Sequence, residues 1–301
     1  MIARSARIGL ILSLAACGAA GPQAVLPDPT EKPVSAAVPA TSDPLSGTTI
    51  LFYNVENLFD TEDDPRINDQ DFLPTSRLNW TEERLRTKLE HLAEAIALGS
   101  EKLPVMVGLA EVEDRAVVEA LAGEPILKEA GYEVVHFDSP DERGIDVALM
   151  YASDRFTLEH SEALRVGLDN DRTRDILYAV LSAEGHRFHV FVNHWSSRRE
   201  GQAKSEPKRM AAAGVVGEKL AGIEVGPADH VIIMGDFNDT PTDKSIQVGL
   251  KASCDASGSQ LVALMCSDLV TGDGSHQYNG DWQYLDQFLV DPGFAKNVVS
   301  A

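Results

Sequence analysis

Cysteine, positive charge and long apolar runs are all scarce in this chain, and each scarcity excludes something. Only Cys17, Cys254 and Cys266 occur in 301 residues. Lys and Arg number 26 against 47 Asp and Glu, a formal net charge of −21. That balance favours solubility and opposes long-range attraction to a polyanion. No run of basic residues suits tight binding to a nucleic-acid duplex, although divalent cations or a locally positive cleft would offset part of the field. The apolar run Ile8–Ala16 is too short to cross a bilayer as a mature helix. No internal repeat is visible, and no composition shift after residue 47 marks a second domain.

The N-terminal residues nevertheless form an ordered pattern. Arg4 and Arg7, with no acid nearby, precede Ile8–Ala16, and small residues follow, which reads as a secretory signal. The sequence LAAC at Leu14–Cys17 resembles a bacterial lipoprotein signal, which implies cleavage before Cys17 and lipidation of that cysteine. Gly18 resembles the outer-membrane-directed type; plain cleavage to a free periplasmic product is the alternative. Residues 19–47 are rich in Ala, Pro, Ser and Thr and read as a tether. The expected organisation is a signal at 1–16, a lipidated N-terminus and linker at 17–46, and one folded domain at 47–301. In an oxidising compartment Cys254 and Cys266 can pair across a short loop, which sequence alone leaves open.

The folded part is a series of short apolar runs that end in polar residues. VIIM at Val231–Met234 reads as a buried strand opening into GDFNDTP, with Gly235 permitting close approach and Asp236 and Asn238 two apart. Asp236 offers a carboxylate for a cation or a water, and Asn238 an uncharged donor and acceptor. TTILFY at Thr48–Tyr53 leads to Asn54 and Glu56, which share a face in extended backbone. Glu111 closes the strand at Leu103–Leu109 and suits a hard divalent cation. Arg143 precedes the strand Val147–Tyr151, and can meet a phosphate or pair with an acid. Phe188–Val192 ends in His194, Arg198 and Arg199. A histidine there can protonate or hold a phosphate oxygen, and the arginines can neutralise phosphate charge. Asp239 can bind metal or cap its turn, and Asp286 precedes an apolar strand at Phe288–Val290. Each group taken alone is equally a polar strand terminus.

Helices are expected from Glu82 to about Leu98, capped by Thr81 with Leu85, Leu89, Leu92, Ala93 and Ile96 as its apolar stripe, and from Asp114 to Ala122. A third begins at Ser205 or Glu206, with Pro207 in its first turn, and runs to about Leu220. The acidic excursion Asp60–Asp71 lacks the spacing of a calcium loop.

In order, FYNVENLFD, GLAEVED, RGIDVALMY, VNHWSSR, GDFND and WQYLDQFLV resemble the motifs of the endonuclease/exonuclease/phosphatase family. The resemblance spans about Thr48 to Val290. It implies an α/β fold, a four-layer α-β-β-α sandwich of two mainly antiparallel or mixed sheets with the site at one edge. It implies Glu111 as principal Mg2+ ligand with Glu56 in the metal network, Mn2+ or Ca2+ being substitutes. It further implies that Asn54 is the family's first-strand asparagine, with catalytic roles for His194, Asp236, Asn238 and Asp286; phosphate contacts from Asn54, Arg143 and Arg198 are the reading of the residues themselves, Asn54 being equally able to orient an acidic neighbour. Asp286 matches the acid that orients a late histidine, which the family carries in a Ser-Asp-His segment. This chain reaches Ala301 without that segment, so the last strand of the family fold is expected to be missing as well.

The function implied is metal-dependent phosphodiester hydrolysis by direct water attack, with DNA as the leading substrate, by a monomeric, lipid-anchored protein of the cell envelope facing periplasm or exterior. A phosphomonoesterase or an inositol or phospholipid phosphodiesterase is the enzymatic alternative. An inactive phosphate-ligand-binding lipoprotein is the alternative outside catalysis.

Overall fold

The computed structural model describes residues 10–14, 44–169, 171–255, 259–266, 274–278 and 280–301. In chain order the elements are β1 (Leu10–Leu14), β2 (Thr49–Leu58), α1 (Glu82–Leu98), β3 (Met106–Val112), α2 (Arg115–Ala122), β4 (Tyr132–His136), β5 (Asp146–Ala152), β6 (Thr157–Leu164), β7 (Ile176–Ala183), β8 (His186–His194), α3 (Gln202–Gly222), β9 (Asp229–Asp236), β10 (Ala252–Ser253), β11 (Leu261–Ala263), β12 (His276–Tyr278), β13 (Asp281–Gln283), β14 (Asp286–Val290), α4 (Pro292–Ala295) and β15 (Val298–Ser300).

These strands build two large mixed sheets, ordered β15-β1-β2-β3-β5-β4 and β10-β11-β14-β9-β8-β7-β6, while β12 and β13 form a separate ribbon. The β2–β3 and β8–β9 pairs are parallel, and β3–β5, β7–β8 and β9–β14 are antiparallel. Three apolar clusters define the layers. Phe52, Met106 and Leu149 of the first sheet meet Val190, Met234 and Phe288 of the second in a central core. The outer face of the first sheet packs on α1 and α2 through Leu92, Ile96, Val118 and Leu121. The outer face of the second packs on α3 through Ala212, Ala213 and Val216. The result is the expected α-β-β-α sandwich.

The unalternated VIIM run follows from this layering. Ile232 and Met234 point into the central core, and Val231 and Ile233 into the layer beneath α3. A strand covered on both faces has no solvent side to keep polar. Burying each such side chain stabilises by about 1.5–3 kcal/mol.

The helix read at Glu82–Leu98 is present, with Leu89, Leu92, Ala93 and Ile96 buried, but Thr81 makes no side-chain cap bond. In α2 the cap is Asp114, which accepts from the Val117 amide at 2.9 Å. The third helix starts earlier than expected, at Gln202, so Pro207 lies inside it rather than in its first turn. A tertiary tie accounts for the extra turn: Gln202 Nε2 donates to Asp243 Oδ1 at 2.8 Å.

The N-terminal boundary also moves. Leu45, assigned to the linker, is fully buried in the central core, and Arg155 donates to the Pro44 carbonyl at 2.7 Å. Leu10–Leu14, assigned to the signal, is a strand of the first sheet, with Leu10 opposite Phe52 and Ser13 opposite Thr49. Cys17 and most of the tether lie outside the described residues. The C-terminal residues Val298–Ser300 pair with β1 as the outermost strand of that sheet. The Cys254–Cys266 disulfide is formed and ties the end of β10 to the chain beyond β11.

Candidate active site

Both sheets deliver polar residues to one edge of the sandwich. The register places Asn54 beside Ala110, one residue before Glu111, in the first sheet. In the second it places Asp236 between His194 and Asp286. Asn54, His194, Asp236, Asn238 and Asp286 are all buried. Asn54 Nδ2 donates to Glu111 Oε1 at 3.2 Å and to Asp236 Oδ2 at 3.1 Å, and so joins the two sheets. His194 Nε2 lies 3.7 Å from Glu111 Oε1 and 3.8 Å from Asp236 Oδ2. Asn238 donates its backbone N–H to Asp236 Oδ1 at 3.0 Å and its side-chain amide to the Trp195 carbonyl at 3.0 Å. Glu111, His194, Asp236, Asn238 and Asn54 are thus one connected group.

The backbone is bent to make this possible. Glu56, Asn57, Glu111 and Asn238 have φ of 54°, 65°, 65° and 50°. A Cβ makes that region costly, about 1–3 kcal/mol per residue, and such strain concentrates where geometry matters. Glu111 sits in the irregularity between Ala110 and Val112, where the β3–β5 register shifts. A bulge of this kind turns one side chain out of its strand's alternation. Gly235 is required for the neighbouring approach, since a Cβ there would lie 2.4 Å from the Asn193 carbonyl oxygen.

A second group of charged residues holds the first in place. Buried Arg174 donates to the His194 carbonyl at 3.1 Å, to the Trp195 carbonyl at 2.5 Å and to Asp141 at 2.9 Å. Burial pushes the Asp141 carboxyl upward, but Arg174 and Arg143 outweigh it and hold the group below the usual carboxylate range. Asp239 is bonded by Arg198 at 3.0 Å, by Ser245 at 2.6 Å and paired with fully buried Arg209 at 2.7 Å. Lys88 of α1 donates to the carbonyls of Glu56 at 2.7 Å and Asn57 at 3.1 Å. Burial lowers its pKa to about 8, against the pull of Glu56 and Glu111.

Several residues therefore stand differently from expectation. Arg198, expected on phosphate, spends its guanidinium on the Asn238 carbonyl, Gln283, Asp239 and Asp243. Asp239 is the hub of an ion-pair network. Arg143 pairs with Asp141 at 3.2 Å and remains 45% exposed at its side chain. Glu56 is exposed, and its backbone N–H donates to Asn54 Oδ1 at 3.0 Å. Asp286 lies opposite Asp236, its own N–H held by Ser275 Oγ at 2.9 Å. Arg174 and Arg209 escape the sequence reading. Arg209 could have been found, because it falls on the same helical stripe as buried Ala212, Ala213 and Val216. Arg174 carries no such signal.

Two depressions flank the site. A groove of about 620 Å³ between β2 and α1 is lined by Asn54, Glu56, Trp80, Arg84, Lys88 and His91. Arg84 and Lys88 lie 5.9 and 5.8 Å from the Trp80 ring centre. A cleft of about 810 Å³ is lined by acids that include Asp60, Asp63, Glu113, Asp114, Asp141 and Asp146. Burial, with Asp60, Asp114 and Asp69 nearby, pushes Glu113 up to about 8. Among the described residues, one set of three metal-capable side chains brings its ligand atoms within 4.8 Å of one another: His136, Asp138 and Asp146. Glu56 and Glu111, the sequence-based metal candidates, are not in that set. No described helix is long and apolar enough to cross a membrane.

Comparison with known proteins agrees with the layering. The fold is similar to a mannosyl-6-phosphatase from Bacteroides thetaiotaomicron VPI-5482, with TM-score 0.55 and 16% identity over 81% of this chain and 85% of that one. It is similar to humanized D. rerio TDP2 carrying 14 mutations, with TM-score 0.52 and 18% identity over 80% and 81%. D. rerio TDP2 complexed with a single-strand DNA product gives TM-score 0.51 and 18% identity over 80% and 82%. No curated protein matches the sequence at a significant level. The family comparison matches residues 49–300, nearly all of the folded part, and on that ground the chain belongs to the endonuclease/exonuclease/phosphatase family.

Proposed function

We propose that this chain is a divalent-metal-dependent phosphodiester hydrolase of the cell envelope that cleaves DNA by direct in-line attack of water. The observation that carries this reading is the convergence of Glu111, His194 and Asp236 around the Asn54 amide. Two carboxylates drawn to one neutral amide are an oxygen-rich donor set, which fits a hard divalent cation. Glu111 would hold Mg2+, with Glu56 beside it; both carboxylates already act on Lys88. When bound, such an ion polarises the phosphoryl group and stabilises the departing oxygen.

The chain's own residues do the rest. Asp236 and Asn238 orient a water, and Asp236 takes its proton as the oxygen attacks phosphorus. His194 Nε2 holds a non-bridging oxygen or gives a proton to the leaving oxygen as the opposite P–O bond breaks. Arg174 keeps His194 at its post through the backbone carbonyl. Arg84 and Lys88 place cations in the groove beside Asn54, with Glu56 and Glu83 offsetting them in an otherwise acidic protein. Export, with lipidated Cys17 as the anchor, is part of the same reading. Cleavage there removes β1 and opens the β2 edge.

The acidic cleft favours a second reading, a phosphomonoesterase or a phosphodiesterase of inositol or phospholipid head groups, since a long polyanion is repelled on that side. A substrate panel with Mg2+, Mn2+ and Ca2+ decides between them. Nicked or fragmented plasmid supports the nuclease. Release of inorganic phosphate or a lipid head group supports the second reading. No turnover on any substrate with any ion would leave a binding protein.

A further inference from the structure

We propose that His136, Asp138 and Asp146 bind a divalent ion of the borderline transition-metal class, Zn2+ or Mn2+, at a site separate from Glu111. His136 ends β4 and Asp146 begins β5, with His136 paired to Ala148, so both side chains leave the same face of the sheet. His136 Nε2 lies 3.2 Å from Asp146 Oδ2. Two ligand atoms that share one ion at bond lengths of about 2.0–2.2 Å stand roughly that far apart. The contact is poor as a hydrogen bond: the His136 side chain is 2% exposed, yet its Nε2 has no hydrogen-bond partner. Ser139 Oγ, buried in the adjoining turn, has none either. The other oxygen of Asp146 accepts the Ser139 N–H at 3.0 Å, the kind of outer contact that fixes a ligating carboxylate. Asp138, 77% exposed at its side chain, stands on the solvent side of the group, its Oδ1 3.9 Å from the other ring nitrogen, Nδ1, and within the 4.8 Å that spans the three ligand atoms.

Imidazole with carboxylates suits Zn2+ or Mn2+ better than Mg2+, which prefers oxygen alone. The site also has a consequence for catalysis. His136 and Asp146 bracket the segment that carries Asp141; Asp141 holds Arg174, and Arg174 holds the carbonyls of His194 and Trp195. An ion at this bracket fixes the segment and, through it, the position of His194.

The test is equilibrium dialysis of chelator-stripped full chain against Zn2+ alone and Mn2+ alone, with bound metal counted per folded molecule. His136→Gln and Asp146→Asn are expected to lose one equivalent that Glu111→Gln retains. Exposed Asp138→Asn serves if the buried variants fail to fold, and is expected to weaken that equivalent about tenfold or more. Histidine ring NMR on the same titration should show His136 shifting at one equivalent in Glu111→Gln. Undiminished metal in His136→Gln and Asp138→Asn, with no ring shift, would mean a metal-free His136–Asp146 pair and overturn the proposal. Loss confined to Glu111→Gln would do the same while leaving the hydrolase reading intact.

Discussion

The Asn54 side-chain amide donates to Asp236 Oδ2 at 3.1 Å across a sequence separation of 182 residues, and this bond fastens the end of one sheet to the end of the other. Asn54→Ala should leave two carboxylates facing each other without their shared donor. Turnover is expected to fall about 10²-fold while the fold persists, measured as initial rate per folded molecule with circular dichroism as control. Asn54→Asp adds a third negative charge and should be the more damaging change at low metal concentration.

Asp236→Ala and Asn238→Ala remove the groups assigned to the water. Each should lower turnover about 10²–10⁴-fold with a far smaller change in melting temperature. Equal rates per folded molecule in variant and parent would reject the assignment.

Glu111→Ala should shift or abolish activation by Mg2+ without comparable loss of substrate binding. The check is a metal titration of rate at saturating substrate, where an unchanged midpoint would exclude Glu111 as a ligand.

Arg174→Lys keeps the charge but loses the planar fork that reaches two carbonyls and Asp141 together. His194 is then held less firmly, so kcat should fall about tenfold or more with little change in KM. A drop in stability alone, with kcat per folded molecule intact, would make Arg174 purely structural.

Glu113 gives a pH prediction with a definite sign. Its folded pKa, about 8, lies above the ordinary carboxylate value, so between roughly pH 4.5 and 8 the folded protein holds more protons than the unfolded chain. Stability contributed by this group therefore falls as pH rises through that window. Glu113→Gln should flatten that fall in chemical unfolding measured across the window. A curve parallel to the parent's would show that Glu113 ionises normally.

The strand ends and two of the three long helices were legible in the sequence because each depends on local signals, whereas the Cys254–Cys266 pairing stayed open until the structure closed it. Apolar runs buried on both faces, a cap, a helical stripe and a turn of Gly, Asp and Asn all have meaning within a dozen residues. So the sequence by itself determined which residues could form the sandwich and which polar groups would stand at its edge. Tertiary structure decided what those groups do to one another. Arg198 looked like a phosphate ligand until Asp239, Asp243 and the Asn238 carbonyl surrounded it. Leu45 looked like tether until the central core enclosed it. His136 and Asp146 carry no local signal because a metal group is a matter of distance in space, and strand register sets that distance. The physical reason is range: propensity and periodicity act along the chain, whereas charge pairing and ligand geometry act across sheets, where sequence separation carries no information.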